Sequence, residues 1–368
     1  MSLLRARTLD LKEITPLTQE RKANSKLNEQ EALAGKTMLE SYPRRLVLEM
    51  TNACNIQCKM CGRNASDFTP TVFHPEWLEI FEPVTDKIEE VTLLGWGEPT
   101  LHPNFKEFLK WGKEKGLRIF FCTNGTRLGE LKEDIFRNKV DLLTVSLDGA
   151  IAQTNNRIRA GADFDKITAN IKEITAQKAQ LQVEYPYLSI VMTLMQSNFH
   201  EFPEYVKLAH KLGLQEAKGV YLTVFEERLM DECMYDMRKE IEAVFEEALS
   251  IGEELGVNVK LPYLQGEDIA AEKAHKDCYV GWRDFFLGSD GYVRSCMSTS
   301  KKLFHVEQYQ TFDEMWNSKE YQEFRSKVNN SGMELPCRNC YQASFANWNK
   351  KSAFIQVGNE FAPTWDKE

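Results

Sequence analysis

The sequence predicts an α/β fold, a partial (β/α)6 barrel of the TIM type followed by a small domain built from a β-hairpin and a helix. Three observations carry that reading. From Arg45 onward short β-rich runs alternate with amphipathic helical runs, the alternation stops after six strands, and a hairpin signature follows in a separate cysteine-bearing region. Such alternation produces parallel strands with right-handed crossovers, and six units fit an open barrel better than the eight of a closed one. Functional residues are then expected at the C-terminal ends of the strands.

The strand runs are RLVLEMT, EVTLLG, RIFFCTNG, VDLLTVSLDG, LSIVMTLMQ and GVYLTVF. Between them lie the helical runs HPEWLEIFEPV, NFKEFLKWGKEKG, GELKEDIFRN, DFDKITANIKEI and EFPEYVKLAHKLG. A further helix, MYDMRKEIEAVFEEALSIGEELG, ends at Gly256, and NVKLPYLQGED leads on to the second region. There the Asp290-Gly291 pair in WRDFFLGSDGYVRSC suits a type I′ turn between two β-rich runs. Residues 1–42 are polar, with NEQEALAGKTMLES the persuasive helix, and form an N-terminal extension. The expected division is therefore extension 1–42, barrel 43–260, second domain 261–345 and C-terminal tail 346–368.

Composition narrows the function classes. The 368 residues are 42% hydrophobic and 27% charged with a formal net charge of -9, and no Lys/Arg block of nucleic-acid-binding length occurs, so no nucleic-acid partner is expected. The N-terminus has no continuous apolar core and no run of about 18 apolar residues exists, so a cytoplasmic protein without membrane contact is expected. Seven of the nine cysteines fall into two spaced groups, a distribution that suits metal or cluster ligation better than a disulfide scaffold.

The first group, CNIQCKMC, places Cys54, Cys58 and Cys61 at a C-x3-C-x2-C spacing directly after the first strand. Thiolates are the soft ligands of iron-sulfur clusters, and three on one loop hold three irons of a cubane and leave the fourth open. A zinc knuckle is the alternative and needs a fourth ligand close by; the nearest His is His74, thirteen residues beyond Cys61. This run resembles the defining motif of the radical S-adenosylmethionine (SAM) superfamily, with Met60 where the family usually has an aromatic residue. The resemblance implies a 4Fe-4S cluster whose open iron chelates SAM, and one-electron cleavage of SAM to a 5′-deoxyadenosyl radical that attacks an unactivated C–H bond. It also implies an electron donor such as flavodoxin or ferredoxin.

Further matches fall on the strand ends where barrel topology places a site. Gly95-Trp96-Gly97-Glu98-Pro99 resembles the family's Gly-Gly-Glu-Pro segment, which lies against the SAM amino group; Trp96 replaces the first Gly of that pattern. Thr123-Asn124 after the third strand, and Ser146 and Asp148 after the fourth, recur in the superfamily, and the resemblance puts Ser146 on SAM and Asp148 on SAM or substrate. All are also ordinary turn formers. In NRIRAGADFDKI, Arg157 and Arg159 match the family's Arg-rich turn, where an Arg pairs with the SAM carboxylate; a solvated charge is the plainer alternative.

The second group is Cys278, then Gly291 after twelve residues, Cys296 after four more, and Cys337-x2-Cys340. This arrangement resembles the twitch domain, a shortened SPASM domain, and implies one auxiliary 4Fe-4S cluster held by four thiolates with no iron left for substrate. A structural zinc site on the same four cysteines is compatible with the spacing. Cys122, inside a strand run, reads as a packed small hydrophobe, and Cys233 reads either as a buried residue opening the next helix or as a thiol on the active rim.

Three functions are compatible with these features. The favoured one is dehydrogenation of a small polar substrate with the auxiliary cluster as electron acceptor, as the resemblance to twitch-bearing aminocyclitol dehydrogenases implies. The second is peptide modification or epimerisation with Cys233 as hydrogen donor; against it, the stretch before the first strand is too short for the leader-binding domain many peptide maturases carry. The third is a zinc- or cluster-binding scaffold without turnover.

Overall fold

Alternation along a strand sorts residues onto two faces, and that sorting builds this fold. The computed structural model describes residues 15–65, 69–264, 278–296, 301–334, 337 and 351–357. In chain order its strands are β1 (Arg45–Leu48), β2 (Gln57–Cys58), β3 (Glu90–Leu93), β4 (Arg118–Thr123), β5 (Leu142–Ser146) and β6 (Arg159–Ala160). They continue with β7 (Tyr187–Leu194), β8 (Glu216–Tyr221), β9 (Asn258–Lys260), β10 (Asp284–Leu287), β11 (Tyr292–Arg294) and β12 (Lys302–His305). Leu46, Leu48, Val91, Ile119, Phe121, Val145 and Ile190 face the surrounding helices and belong to the main core. Their alternates Thr92, Cys122, Thr144, Ser146, Ser189 and Thr193 take the opposite face, where the Thr144 and Ser189 hydroxyls meet at 2.7 Å. The inner face of the barrel therefore carries a band of polar side chains, with Val47, Phe120 and Val191 among them.

The six expected barrel strands are β1, β3, β4, β5, β7 and β8, paired in parallel in that order. The last begins at Glu216, earlier than its most β-rich run, and β9 adds a further parallel strand beside it. Helices α1 (Gln19–Leu33), α2 (Phe105–Glu114), α3 (Leu128–Arg137), α4 (Ala152–Ile158), α5 (Phe164–Leu181), α6 (Phe202–Lys211) and α7 (Arg238–Leu255) complete the frame, and Gly256 closes α7 at φ +69° as expected. Pro83 lies within the run HPEWLEIFEPV, which is a 3-10 segment over Pro75–Val84. Among the described residues no helix is long and apolar enough to cross a membrane.

Two expectations are corrected. The N-terminal helix is α1, which starts where the Thr18 side chain accepts from Arg21 N and stops at Leu33, before Gly35 enters the left-handed region at φ +65°. Apart from Ala32 its buried residues are polar, and they cap backbone at the N-terminal end of the barrel: Arg21 donates to Thr85 O (3.1 Å) and Lys115 O (2.6 Å), and Asn28 to Trp282 O (2.8 Å). Asp290-Gly291 does turn the hairpin, but only Gly291 takes positive φ, at +78°. The turn closes with Gly291 N donating to Gly288 O at 3.0 Å, so it is not type I′. Cys122 lies within β4, half-buried, on the face opposite Ile119 and Phe121.

The second cysteine region continues the sheet of the barrel. The strand order is β12-β11-β10-β1-β3-β4-β5-β7-β8-β9, and β10 pairs in parallel with β1, Arg45 opposite Asp284. That seam is fastened by the Arg45–Asp284 ion pair at 2.5 Å, with Arg283 on the same carboxylate at 2.6 Å. Burial alone would raise the Asp284 carboxyl; Arg283 and Arg45 outweigh it and hold it well below the usual carboxylate range. A depressed folded-state pKa contributes stability above the unfolded value that is lost as pH falls through the folded one. Asp284→Asn is expected to cost about 2 kcal/mol at pH 7, since both arginines keep some access to water, and to flatten the acid limb of a urea-melt pH profile.

Candidate active site

The cluster loop leaves β1 and is gripped by every barrel strand end it passes. Thr51 and Ala53 direct their carbonyl oxygens at Gly97, where a Cβ would come within 2.3 Å of both, so only glycine fits this approach. Ala53 O also accepts from Glu98 N at 2.8 Å. Asn124 at the end of β4 reaches Asn55 Oδ1 at 2.8 Å and lies 3.7 Å from Cys54 Sγ. Further on, β2 and β6 form an antiparallel pair with Cys58 opposite Arg159, and Lys59 N donates to Ile158 O at 2.8 Å. The loop after β8 closes the ring: Lys59 pairs with Glu232 at 2.7 Å and Arg228 donates to Lys59 O at 3.0 Å.

This grip sets the electrostatics of the thiols. Cys54, Cys58 and Cys61 are unbridged and half-buried. Burial pushes the Cys58 thiol up to about 12 and raises Cys61, while Arg159 works against the rise at both. Among the described residues no three His, Cys, Asp or Glu side chains are gathered as around one metal ion. Cubane ligands each meet a separate iron and need no such convergence. One further feature fits a cluster here: the Nε of Arg159, whose side chain is buried, has no hydrogen-bond partner among the described residues, in the residue directly across from Cys58.

The strand-end residues divide by what their side chains do. Glu98 is buried and accepts from Thr100 Oγ1, Thr123 Oγ1 and Asn124 N, each at 2.6 Å, so it ties the β3 end to the β4 end; burial still raises its carboxyl. Asp148 is fully buried, with Oδ2 on Arg159 Nη1 at 2.6 Å and Oδ1 accepting from Thr193 N at 2.7 Å. Arg157 is exposed and approaches Ser197 O at 3.4 Å. Ser146 faces the interior with its Oγ 3.5 Å from Cys122 Sγ. Gly95 packs on Glu49, Trp96 sets its ring against Phe225 at 5.9 Å between centroids, and Pro99 opens a buried 3-10 turn. Met60 packs against the apolar cluster of Ile158, Met195, Leu222, Val224 and Leu229. Cys233 touches the same cluster, half-buried, together with Ile355 of the C-terminal segment, whose neighbours pair with Val224. Burial raises the Cys233 thiol.

In the second group, Cys278 exchanges two backbone hydrogen bonds with the Asn329 side chain, at 2.7 and 2.9 Å. Cys296 lies just beyond β11, and Cys337 is half-buried. Cys340 lies outside the described residues. Two groups of residues escaped the sequence reading. Glu49, at the end of β1, accepts from Trp96 N at 2.9 Å and from Ser289 Oγ at 3.0 Å, so one carboxylate joins the Gly95–Pro99 segment to the hairpin of the second region. Lys59 with Glu232, and Arg228, fasten the cluster loop to the β8 end. An acidic residue closing a β-rich run was the signal for Glu49; the others gave none.

Comparison with known proteins agrees with this geometry. The model of the radical SAM superfamily matches residues 48–213, and that of the SPASM iron-sulfur cluster-binding domain matches residues 278–341. The chain is 24% identical over 338 residues, 86% of its length and 92% of the relative's, to a tungsten-containing aldehyde ferredoxin oxidoreductase cofactor-modifying protein of Pyrococcus furiosus. It is 29% identical over 180 residues, about half of each chain, to an AdoMet-dependent heme synthase of Methanosarcina barkeri. Its fold is similar to that of Streptococcus suis SuiB bound to S-adenosylmethionine, with a TM-score of 0.64 at 15% identity over 88% of this chain and 76% of that one. The chain therefore carries a radical SAM domain and a SPASM/twitch-type cluster-binding domain, and the two imply a SAM-binding 4Fe-4S cluster, auxiliary iron-sulfur ligation and SAM as cofactors.

Proposed function

We propose that the chain oxidises a small polar substrate held on the inner face of the barrel, with Cys54, Cys58 and Cys61 holding the SAM-binding cluster. The observation that carries this reading is the continuity of the sheet: β10 lies directly on β1, the strand that delivers the cluster loop. Cluster and SAM supply reductive cleavage of a sulfonium and, through it, removal of hydrogen from an unactivated C–H bond. Cys278, Cys296, Cys337 and Cys340 would hold the auxiliary cluster, a fully thiolate-ligated centre suited to electron transfer. The protein's own part is positional. Glu49 and Gly97 fix the segment between the two regions, Arg159 offsets negative charge at the thiols, and the Cys122, Thr144, Ser146 and Ser189 side chains offer polar contacts to a substrate.

Anaerobically loaded protein is expected to hold about eight irons and, with reductant and SAM, to release 5′-deoxyadenosine. In a pool of small polar metabolites it should yield a product lighter by two hydrogens. Cys296→Ala is expected to keep part of the 5′-deoxyadenosine release and lose that product, because hydrogen removal precedes transfer of the second electron. Retention of the lighter product in Cys296→Ala would overturn the oxidative reading.

A second reading has one specific support. Cys233 and Met60 pack against the same apolar cluster of Ile158, Met195, Leu222, Val224 and Leu229, and burial raises the Cys233 thiol, which favours the protonated form that a hydrogen donor requires. Relatives include the mycofactocin maturase MftC of Mycobacterium tuberculosis, 25% identical over 176 residues, 46% of this chain and 43% of that one. Hydrogen return to a peptide would put solvent deuterium at the altered carbon with no net oxidation, since a thiol proton exchanges with water.

A further inference from the structure

Most inward-facing charges of the barrel are matched. Arg45 is paired with Asp284, Arg159 with Asp148, and Glu49 is satisfied by Trp96 N and Ser289. At the β8–β9 side the pattern changes. Parallel neighbours share a face, and the register sets Ser146, Val191, Lys218 and Lys260 in one row across β5, β7, β8 and β9. Ala217, next to Lys218, is buried in the helix-facing core, which turns the Lys218 side chain to the inner face. Ser146, in this row, lies with its Oγ 3.5 Å from Cys122 Sγ, so the row spans the interior near the polar strand ends.

Lys218 is exposed, Lys260 is half-exposed, and neither makes an ion pair or hydrogen bond with any described residue. The carboxylate next to them in register, Glu216, is engaged by Asn258 Nδ2 at 3.0 Å and Tyr187 Oη at 3.4 Å. Like charges directly opposite on neighbouring strands destabilise a sheet. Two apolar side chains would suit the fold better there, whereas an oxyanion between the ammoniums would relieve the repulsion and gain charge-assisted hydrogen bonds. We propose that Lys218 and Lys260 form a clamp for a carboxylate or phosphate group of the substrate, which makes the substrate anionic. The substrate assignment rests on the proposed function; the anion site itself does not.

The test is calorimetric titration of the anaerobically loaded holoenzyme with pyrophosphate and, separately, with glutarate. One equivalent of at least one probe should bind, more weakly at higher salt, and preference between the two identifies the group recognised. Lys218→Met and Lys260→Met should each weaken binding about tenfold, and Lys218→Arg should stay within about threefold of wild type. Both Met variants should melt at or above the wild-type temperature, because each removes a repulsion. Failure of wild type to bind either probe, unchanged binding in the Met variants, or melting well below wild type would each overturn the clamp. Holoenzyme that releases 5′-deoxyadenosine but binds neither probe loses the clamp and keeps the proposed function; one that binds pyrophosphate but cleaves no SAM does the reverse.

Discussion

Cys54→Ala, Cys58→Ala and Cys61→Ala should each reduce 5′-deoxyadenosine formation to background. Loss of an outer partner of a metal ligand typically costs about 10–100-fold, so loss of a ligand itself should exceed that range. The geometry supplies the internal control. Asn124 approaches Cys54 Sγ at 3.7 Å and also holds Asn55, so Asn124→Ala should fall within the 10–100-fold band while the cysteine variants fall below it. Folding should survive the cysteine changes, since the loop is fixed by backbone contacts: Glu98 N on Ala53 O at 2.8 Å and Lys59 N on Ile158 O at 2.8 Å. Melting temperatures near wild type with iron content reduced by about one cubane would be the accompanying signature. Retained 5′-deoxyadenosine formation in any of the three would remove the assignment of that thiol.

Legibility in the sequence followed the range of the interaction. The barrel strands were readable because apolar residues facing the helices recur every second position, as in Leu143 and Val145 or Ile190 and Met192, and the intervening runs carry helical periodicity. The cluster thiols were readable because three ligands on one loop leave a local spacing. Pairings between distant segments were not. Arg45 and Asp284 are adjacent in the sheet and far apart in sequence, and nothing near either residue announces β10 against β1. α1 was misplaced because its buried face is polar: Arg21, Asn24 and Asn28 satisfy backbone carbonyls, and periodicity sees only hydrophobic faces. Lys218 reads in sequence as an ordinary exposed lysine, and only the register with Lys260 gives its position meaning.

The Asp148–Arg159 pair shows how stability and site geometry are joined here, and its two parts can be separated. Arg159 belongs to β6, whose partner strand contains Cys58, and Asp148 follows β5, so the pair at 2.6 Å carries the barrel's order into the cluster loop. Asp148 has no solvent access and the Arg159 side chain is 9% exposed. Removing one partner leaves the other charge buried without compensation, so Asp148→Leu should cost about 3–5 kcal/mol in a denaturant melt. Replacing both, as Asp148→Leu with Arg159→Met, should recover most of that loss, since apolar side chains of similar volume often substitute for a buried ion pair at little cost. SAM cleavage should not recover with it: the double variant lacks the positive charge that opposes the effect of burial at Cys58 and Cys61. A double variant that is stable, binds less iron and cleaves little SAM would assign Arg159 to positioning of the cluster thiols. One that is stable and fully active would leave the pair a purely structural tie between β5 and β6.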